Sequence, residues 1–366
     1  MVNAKDLALP SVAALAPYEP GKPIEELERE LGISEPVKLA SNENPIGPSP
    51  MAIEAIRAAL PELNRYPDGA SFALRRKIAA RHGVDENRIF PASGSVEVLH
   101  LLAFLFVRPG LNTVYSEHSF AIYPLATAAA GGEHKVVPTS DGYAHDLEAM
   151  AAAIDANTRI VFLGNPNNPT GTIYRNAEWQ RFLARVPERV VIVADEAYFE
   201  FVRDPEYPDS LKDHDDRRMI VTCRTFSKIF GLAGIRVGYA VARPDLVEML
   251  NHVRQPFNVT SLAQVAVVAA MDDKAHIART LEVHAEGMTY LEREFRRLGI
   301  AYVPSHANFL LAEVGSGGAV YDQLLRKGVI VRPMGGYGYP HHVRISVGLP
   351  AENRRLVSAL AEVLNR

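Results

Sequence analysis

The chain has little cysteine, little tryptophan and little net charge. Of its 366 residues one is cysteine (Cys223) and one is tryptophan, and the formal net charge is -4 at pH 7. A single cysteine excludes an intramolecular disulfide and a zinc-cysteine cluster, which suits a reducing compartment. The small net charge gives no bulk electrostatic reason to bind nucleic acid or a membrane surface. We therefore expect small-molecule substrates, and we expect Cys223 to be a core residue rather than a nucleophile.

The chain also lacks a long hydrophobic run. Its most apolar stretch, residues 98–107, contains His100 and is shorter than the roughly 20 residues that span a bilayer. The first residues, Met-Val-Asn-Ala-Lys-Asp, do not resemble a signal peptide, and the twelve histidines show no metal-ligand spacing. These observations predict a cytoplasmic protein with no metal, no membrane contact and no nucleic-acid partner.

The composition and the hydrophobic pattern predict an α/β fold. With 48% apolar and 22% charged residues, the chain is typical of a folded protein of about two domains. Three short, continuously apolar runs are typical of strands covered on both faces, and helical patterns surround them. The runs are residues 160–163, 190–194 and 219–223, and two of the helical patterns are residues 51–60 and 146–154. A parallel sheet with helices on both sides is therefore expected.

The pattern changes toward the C-terminus, which predicts a second domain. A long helical stretch from about residue 243, through 265–270 and 277–298, is interpreted as a connector. It is followed by predicted strands at 307–313, 329–332 and 343–347 and a helix at 352–364. We predict an N-terminal arm and part of the small domain at 1–45, a large cofactor-binding domain at 46–250, and the connector with the small domain at 251–366.

Polar motifs follow the three central strands. Asn165 begins the run Asn-Pro-Asn-Asn-Pro-Thr-Gly (165–171), Asp195 begins Asp-Glu-Ala-Tyr, and Lys228 ends Thr-Phe-Ser-Lys. In open α/β sheets ligands collect outside the carboxyl ends of the strands, so these side chains are expected to meet at one edge. The motifs supply the groups that an aldehyde cofactor with a pyridine ring requires. These are an amine, a carboxylate, an amide, a phenol, and a cluster of hydroxyls with a guanidinium that could bind a phosphate. The set predicts pyridoxal phosphate.

Lys228 and Asp195 each have an ordinary alternative. Lysines are usually exposed, and an acid after a strand often only begins a loop. Lys228, however, lies in an apolar stretch with Phe226 and Ile229, where desolvation would lower its pKa and free the amine for imine formation and proton transfer. Asp195 follows a buried strand, where a carboxylate can hold a pyridine nitrogen in its cationic form.

A phosphate site is predicted from two segments. Thr225, Ser227 and Arg236 offer two hydroxyls and a forked guanidinium. The glycines around Arg236 are either ordinary loop residues or, as we expect, points of close backbone approach; they are Gly231, Gly234 and Gly238. Ser95 is expected near the N-cap of a helix whose free amides favour an anion. The predicted apolar face of that helix is Val96, Leu99, Ala103 and Phe106.

Several motifs together resemble those of the histidinol-phosphate aminotransferases. They are Ser-Asn-Glu-Asn-Pro (41–45) with Gly47 and Pro48, Arg-Tyr-Pro-Asp (65–68), the 165–171 and 195–198 runs, Ser227 and Lys228 through Arg236, and the segments 331–333 and 344–348. The resemblance extends from about residue 18 to the last helix. It implies fold type I of the pyridoxal-phosphate enzymes, which is aspartate-aminotransferase-like, with a large domain built on a mostly parallel sheet and a smaller α+β domain.

The resemblance also implies roles for individual residues. Lys228 would be the Schiff-base lysine, Asp195 would contact the pyridine nitrogen, and Asn168 and Tyr198 would hold the cofactor's phenolic oxygen. Phe120 would stack on the ring, where relatives often have tyrosine. The implied phosphate ligands are Ser95, Val96, Thr225, Ser227 and Arg236, with Tyr66 reaching in from the second subunit of a homodimer. Val96 replaces a common aspartate, which matters little if its backbone amide makes the contact and alters the site if the side chain does.

Substrate choice is predicted to depend on C-terminal arginines. Arg344 and Arg332 resemble the family's anion site, in which a planar fork grips carboxylate or phosphate, although either one alone could be a surface arginine. Tyr18 matches a tyrosine that closes over the substrate in relatives, and an equally simple alternative is that it packs the arm against the body. We predict transamination between L-histidinol phosphate and 2-oxoglutarate. The alternatives are an aromatic or broad-specificity aminotransferase and a decarboxylase of amino-acid phosphates, which fold alone does not separate.

Overall fold

The structure, a computed structural model, describes residues 2–17 and 20–366. The helices are α1 (Ala4–Leu7), α2 (Pro10–Ala13), α3 (Ile24–Leu31), α4 (Pro50–Ala59), α5 (Phe72–His82), α6 (Ser95–Phe106), α7 (Ile122–Ala129), α8 (Leu147–Ala153), α9 (Asn176–Arg185), α10 (Pro244–Val253), α11 (Ser261–Ala270), α12 (Lys274–Arg297), α13 (Gly317–Arg326) and α14 (Pro350–Val363). The strands are β1 (Val37–Lys38), β2 (Ile89–Ala92), β3 (Asn112–Ser116), β4 (Glu133–Val137), β5 (Thr158–Gly164), β6 (Val191–Asp195), β7 (Met219–Thr225), β8 (Gly238–Val241), β9 (Tyr302–Val303), β10 (Phe309–Glu313), β11 (Val329–Ile330), β12 (Arg332–Pro333) and β13 (His342–Ser346).

A seven-stranded sheet forms the centre of the larger part. Its order is β2-β8-β7-β6-β5-β3-β4, and all strands run in one direction except β8, which is antiparallel to both of its neighbours. Strands β5 and β6 are apolar and almost wholly buried because helices cover both faces of the sheet. The predicted α/β architecture with a mostly parallel sheet is confirmed.

The smaller part is an antiparallel sheet of order β12-β13-β10-β9, and the long helix α12 packs on it with α14. The N-terminal segment joins this part, because β1 pairs in parallel with β11. The domain boundaries at 45 and 250 stay a prediction. Helix α11, which lies beyond residue 250, contributes Ala263, Ala266 and Val267 to the core around α4 and α5.

Two local predictions were wrong in detail. The long helical stretch from about residue 243 is three helices, and it is interrupted after Val253, where Pro256 lacks an amide proton and Phe257 has φ of +58°. The buried face of α6 is formed by Val98, Leu99, Leu102 and Ala103, because the helix packs on the sheet and against its neighbours α7 and α10. Within residues 2–17 and 20–366, no helix combines the length and the apolar character that crossing a bilayer requires.

Candidate active site

The carboxyl ends of β5, β6 and β7 meet at one edge of the large sheet. In the parallel register Gly164 lies beside Asp195, and Asp195 lies beside Cys223. The segments that follow these strands therefore emerge together, as the predicted sheet requires. Between this edge and the small domain lies a cavity of about 270 Å³.

Most of the predicted site residues line this one cavity. They are Ser95, Val96, Phe120, Asn168, Asp195, Tyr198, Thr225, Ser227, Lys228, Arg236, Arg332 and Arg344. Tyr66 lies elsewhere: it is 82% exposed and stacks on Phe257, with ring centroids 4.7 Å apart. Tyr18 lies outside the described residues. No group of three or more possible metal ligands occurs in the part of the chain that the structure describes.

Lys228 holds its amine inside the cavity. Its Nζ donates to the carbonyl of Ser41 at 3.3 Å and lies 5.6 Å from the centre of the Tyr198 ring. Burial of the amine, assisted by the positive charge of Arg344, lowers the pKa of Lys228 from 10.5 to about 8. A substantial fraction of the amine is therefore neutral, and nucleophilic, near pH 8.

Asp195 presents one free carboxylate oxygen. Its Oδ2 accepts a hydrogen bond from the hydroxyl of Tyr123 at 3.0 Å, whereas Oδ1 is buried without a hydrogen-bond partner among the described residues. Burial raises the pKa of Asp195 to about 6, and the bond from Tyr123 opposes that rise. A buried acceptor without a donor is costly, so the site fits a cationic N–H donor that would pair with Oδ1.

The predicted phosphate residues come together at the start of α6. Ser95 and Val96 are the first residues of this helix, so their amides are among those that lack an intrahelical partner. The guanidinium of Arg236 donates to Ser227 Oγ at 3.3 Å. It also lies so close to Gly94 that a Cβ there would be 2.5 Å from Nη2. Amides, a hydroxyl and a guanidinium thus face one small volume, which fits a phosphate group.

The glycines around Arg236 behave in different ways. A Cβ on Gly238 would lie 2.5 Å from the amide nitrogen of Ser95, and one on Gly231 would lie 2.2 Å from the carbonyl oxygen of Gly47. These two allow close backbone approach, as predicted. The same prediction was wrong for Gly234. A Cβ on Gly234 would meet nothing within 4 Å, because this glycine lies in an exposed turn.

Arg332 and Arg344 are directly opposite each other on β12 and β13. Like charges in a cross-strand pair repel each other, so the arrangement is favourable when an anion lies between them. Arg344 is 6% exposed; it donates to Asn168 Oδ1 at 2.5 Å and to the carbonyl of Ala40 at 2.8 Å. The predicted anion-binding side chain of the small domain thereby contacts the 165–171 run of the large domain.

Two groups of cavity residues were missed at the level of sequence. Tyr123 lies three residues after Phe120, in the first turn of α7, and its closeness in sequence to Phe120 was the available signal. Residues 40–43 also line the cavity. The Ser-Asn-Glu-Asn-Pro motif was recognised there, but no role was assigned to it.

These features define a class: a two-domain α/β protein with a buried lysine, a buried acid and paired arginines around one cavity. The family described as aminotransferase class I and II matches residues 34–360. The chain belongs to this family, and the predicted aminotransferase family and fold class are confirmed.

Individual relatives are similar along the whole chain. The chain is 51% identical to histidinol-phosphate aminotransferase 2 of Pseudomonas aeruginosa, with 98% of each chain covered. It is 46% identical to histidinol-phosphate aminotransferase of Akkermansia muciniphila, with 99% and 100% covered. The structure of histidinol-phosphate aminotransferase from Sinorhizobium meliloti in complex with pyridoxal-5'-phosphate superimposes with a TM-score of 0.88 at 28% identity, covering 97% of both chains.

Proposed function

We propose that this chain is a pyridoxal-phosphate-dependent aminotransferase that exchanges the amino group between L-histidinol phosphate and 2-oxoglutarate, giving imidazole acetol phosphate and glutamate. Curated relatives at 46–51% identity carry the name histidinol-phosphate aminotransferase. The observation that carries the proposal is that the amine of Lys228 shares one cavity with the opposed pair Arg332 and Arg344. A reactive amine and an anion clamp are both needed for such substrates.

The cavity offers a partner for each part of the cofactor. Asp195 Oδ1 would accept from the ring nitrogen, Phe120 would cover the ring, and Asn168 with Tyr198 would hold the phenolic oxygen. The phosphate would lie among the amides at the start of α6 and the side chains of Thr225, Ser227 and Arg236. When bound, the cofactor supplies an aldehyde that takes up an amino group and a cationic ring that withdraws electrons.

Lys228 would carry the proton-transfer step. Part of its amine is neutral near pH 8, so Nζ could accept the proton from the substrate's Cα. The same Nζ could then donate this proton to the C4′ carbon of the cofactor. The carbonyl of Ser41, 3.3 Å from Nζ, holds the amine in the cavity while it does so. A single base then serves both directions of the transfer.

Arg344 and Arg332 would bind the anionic end of either substrate. Histidinol phosphate presents a phosphate and 2-oxoglutarate presents a carboxylate, and a guanidinium fork pairs with both. Because one partner of Arg344 is the side chain of Asn168, substrate binding is linked to the residue that would hold the phenolic oxygen.

A homodimer is part of the proposal. Tyr66 is 82% exposed and does not line the cavity of its own chain. Leu63 and Phe72, close to Tyr66 in the sequence, are also exposed, at 55% and 58%, which supports a contact surface in this segment. Mixing inactive Lys228→Ala chains with Tyr66→Ala chains should restore activity, because a hybrid dimer contains one intact site; activity no greater than the sum of the two parents would contradict the dimer.

A cytoplasmic location is also part of the proposal, since a reducing compartment suits the buried free thiol of Cys223.

The proposal is tested by steady-state kinetics with three amino donors. Histidinol phosphate, phenylalanine and phosphothreonine are compared, and the release of ketone and of carbon dioxide is measured. The highest kcat/KM is expected for histidinol phosphate, with ketone as the product. A higher kcat/KM for phenylalanine would indicate an aromatic aminotransferase, and carbon dioxide from phosphothreonine would indicate a decarboxylase; either result overturns the substrate assignment.

A further inference from the structure

Asn42 lies at a junction between the large and the small domain. It is 1% exposed and adopts a left-handed backbone conformation with φ of +54°, which asparagine tolerates better than most residues. Its side-chain Nδ2 lies 2.9 Å from the hydroxyl of Tyr198, in the large domain. Its backbone carbonyl accepts from Asn308 Nδ2 at 3.1 Å, in the small domain. One residue therefore joins a predicted cofactor-binding side chain to the small domain.

The direction of the hydrogen bonds around Asn42 can be derived from one backbone amide. The N–H of Asn42 lies 2.8 Å from Ser346 Oγ, and an amide N–H can only donate. Ser346 Oγ is therefore an acceptor in that bond, and its own proton needs another acceptor. The side-chain Oδ1 of Asn42, 3.0 Å away, provides it.

The orientation of the Asn42 amide follows from that bond. With Oδ1 facing Ser346, Nδ2 faces Tyr198 and donates to its oxygen. The opposite orientation would present two donors to Ser346 Oγ and leave the serine proton without an acceptor. Ser346 is 3% exposed, so an unpaired proton there is costly. The observed orientation is the one that satisfies every group.

Tyr198 consequently accepts a hydrogen bond and keeps its proton for another partner. Tyr198 is 4% exposed and lines the cavity. We infer that Asn42 and Ser346 are positioning residues, which fix Tyr198 as a hydrogen-bond donor into the cavity. The inference rests on the proposed function in one respect: the acceptor would be the cofactor's phenolic oxygen.

The neighbouring residues support a positioning role for this segment. Ala40 accepts from Arg344 at 2.8 Å, and Ser41 accepts from Lys228 at 3.3 Å. Ser346 lies two residues after Arg344 on β13, so both side chains point to the same face of the strand. Residues 40–42 thus contact three predicted functional side chains, and the strand that carries Arg344 also sets the direction of the Tyr198 proton.

The first test uses the cofactor-free protein, so it does not depend on the proposed function. A ring-fluorinated tyrosine is placed at position 198, and the pKa of its phenol is measured by fluorine NMR. Ser346→Ala frees the Asn42 amide and weakens its donation, so the phenol's pKa should rise by about 0.5 to 1. Ser346→Thr keeps a hydroxyl and should restore the original value. An unchanged pKa in Ser346→Ala, or a fall, would show that the amide does not donate to Tyr198.

Asn42→Asp provides a larger change with almost the same shape. It replaces the donor Nδ2 by an acceptor, so the Tyr198 proton turns toward position 42 and the phenol's pKa should rise by more than in Ser346→Ala. Asn353→Asp is the matched control, because Asn353 is an equally buried amide bonded to Gly348, outside the cavity. It should leave the Tyr198 titration unchanged, and an equal shift there would contradict a local effect.

The second test adds pyridoxal phosphate and follows its visible absorption with pH. In Ser346→Ala the Tyr198 hydroxyl is a weaker donor, which makes an anionic phenolic oxygen less stable, so the pH at which the absorption band changes should rise by about 0.5. Ser346→Thr should match the wild type. A fluorine shift without a shift of the absorption band would refute the direction of the proton into the cavity. A wild-type protein without any visible band would refute the cofactor instead, and the fluorine titration would still decide the role of Asn42.

Discussion

The edge of the large sheet with Asp195 and Lys228, the proposed cofactor edge, differs in construction from the pair Arg332 and Arg344 of the small domain, the proposed anion clamp. Asp195 and the loop that ends at Lys228 follow neighbouring parallel strands, so the strand register alone brings them together. The clamp is a cross-strand pair in a separate sheet, and Arg344 reaches the large domain through Asn168 and the N-terminal segment through Ala40. The first region is assembled mainly by strand register within one sheet, with added contacts from Ser41 to Lys228 and from Asn42 to Tyr198. The second region requires both domains. Changes in the first should therefore act on chemistry, and changes in the second on substrate binding.

The largest effect is expected at the cofactor edge, from Lys228→Ala. Without the amine, no base is placed between the two carbons, and kcat should fall on the order of 10^4-fold. The cofactor should remain bound noncovalently, because the residues around its ring and phosphate are intact. Turnover is measured with histidinol phosphate, and retention is measured by absorbance after gel filtration. Lys212→Ala, an exposed lysine outside the cavity, is the control; turnover in Lys228→Ala close to that control would remove the proposed mechanism.

The anion clamp is expected to give the next largest effect. Arg344→Ala should lower kcat/KM, mainly through KM, by a factor equivalent to roughly 2–4 kcal/mol of binding free energy, because it removes a buried cation that would pair with the substrate anion. Arg332→Ala should cost less, since Arg332 is less buried. Arg344→Lys keeps the charge but not the fork, and its kcat/KM should lie between those of Arg344→Ala and the unchanged protein.

Kinetics of Arg344→Ala with both substrates distinguish one shared anion site from two separate sites. One shared anion site requires that Arg344→Ala weakens histidinol phosphate and 2-oxoglutarate to a similar extent. A loss limited to one substrate would show two separate anion sites. A fall in kcat at unchanged KM would show that the small domain acts on chemistry as well as on binding.

The difference between the regions also explains what could be predicted from the sequence. Strand type, the parallel sheet and the motifs at the strand ends depend on local patterns, so residues predicted from these motifs lie around one cavity. The hydrogen bond from Tyr123 to Asp195 joins residues that are 72 positions apart in the sequence. The bond from the Asn42 amide to Ser346 joins residues that are 304 positions apart. Side-chain directions over such separations depend on packing, which composition and periodicity do not encode. The exposed turn at Gly234 was mistaken for a close approach for the same reason.

A third prediction concerns Asp195 in the cofactor-free protein. Folding raises the pKa of Asp195 from 3.8 to about 6, so the folded state binds the proton more tightly than the unfolded state. Its contribution to stability is therefore present below pH 3.8 and is lost as pH rises through 6. Asp195→Asn removes the cost of the buried charge and should stabilise the cofactor-free protein at pH 7.5 by up to about 3 kcal/mol. The difference should disappear near pH 4, as measured by urea unfolding.

An exposed acid provides the opposite case. Arg243 hydrogen-bonds Asp245 and holds the pKa of that carboxyl below its usual range, and the side chain is largely exposed. Asp245→Asn should therefore give no gain in stability at pH 7.5. A gain equal to that of Asp195→Asn would mean that net charge, rather than burial at the cofactor edge, governs the pH dependence.

The smallest expected effect tests how the cofactor edge supports its own acid. Tyr123→Phe keeps the stacking on Phe162, whose ring lies 4.9 Å away, and removes only the hydroxyl that donates to Asp195. At pH 7.5 the loss should be about 1–2 kcal/mol, because the bond is made to a buried carboxylate. In an Asp195→Asn background the charged acceptor is gone, so the same substitution should cost less than about 1 kcal/mol. Unfolding of the four proteins gives this coupling directly. An equal cost in both backgrounds would show that the contribution of the Tyr123 hydroxyl does not depend on the charge of Asp195, and the edge would then lack a dedicated support for its carboxylate.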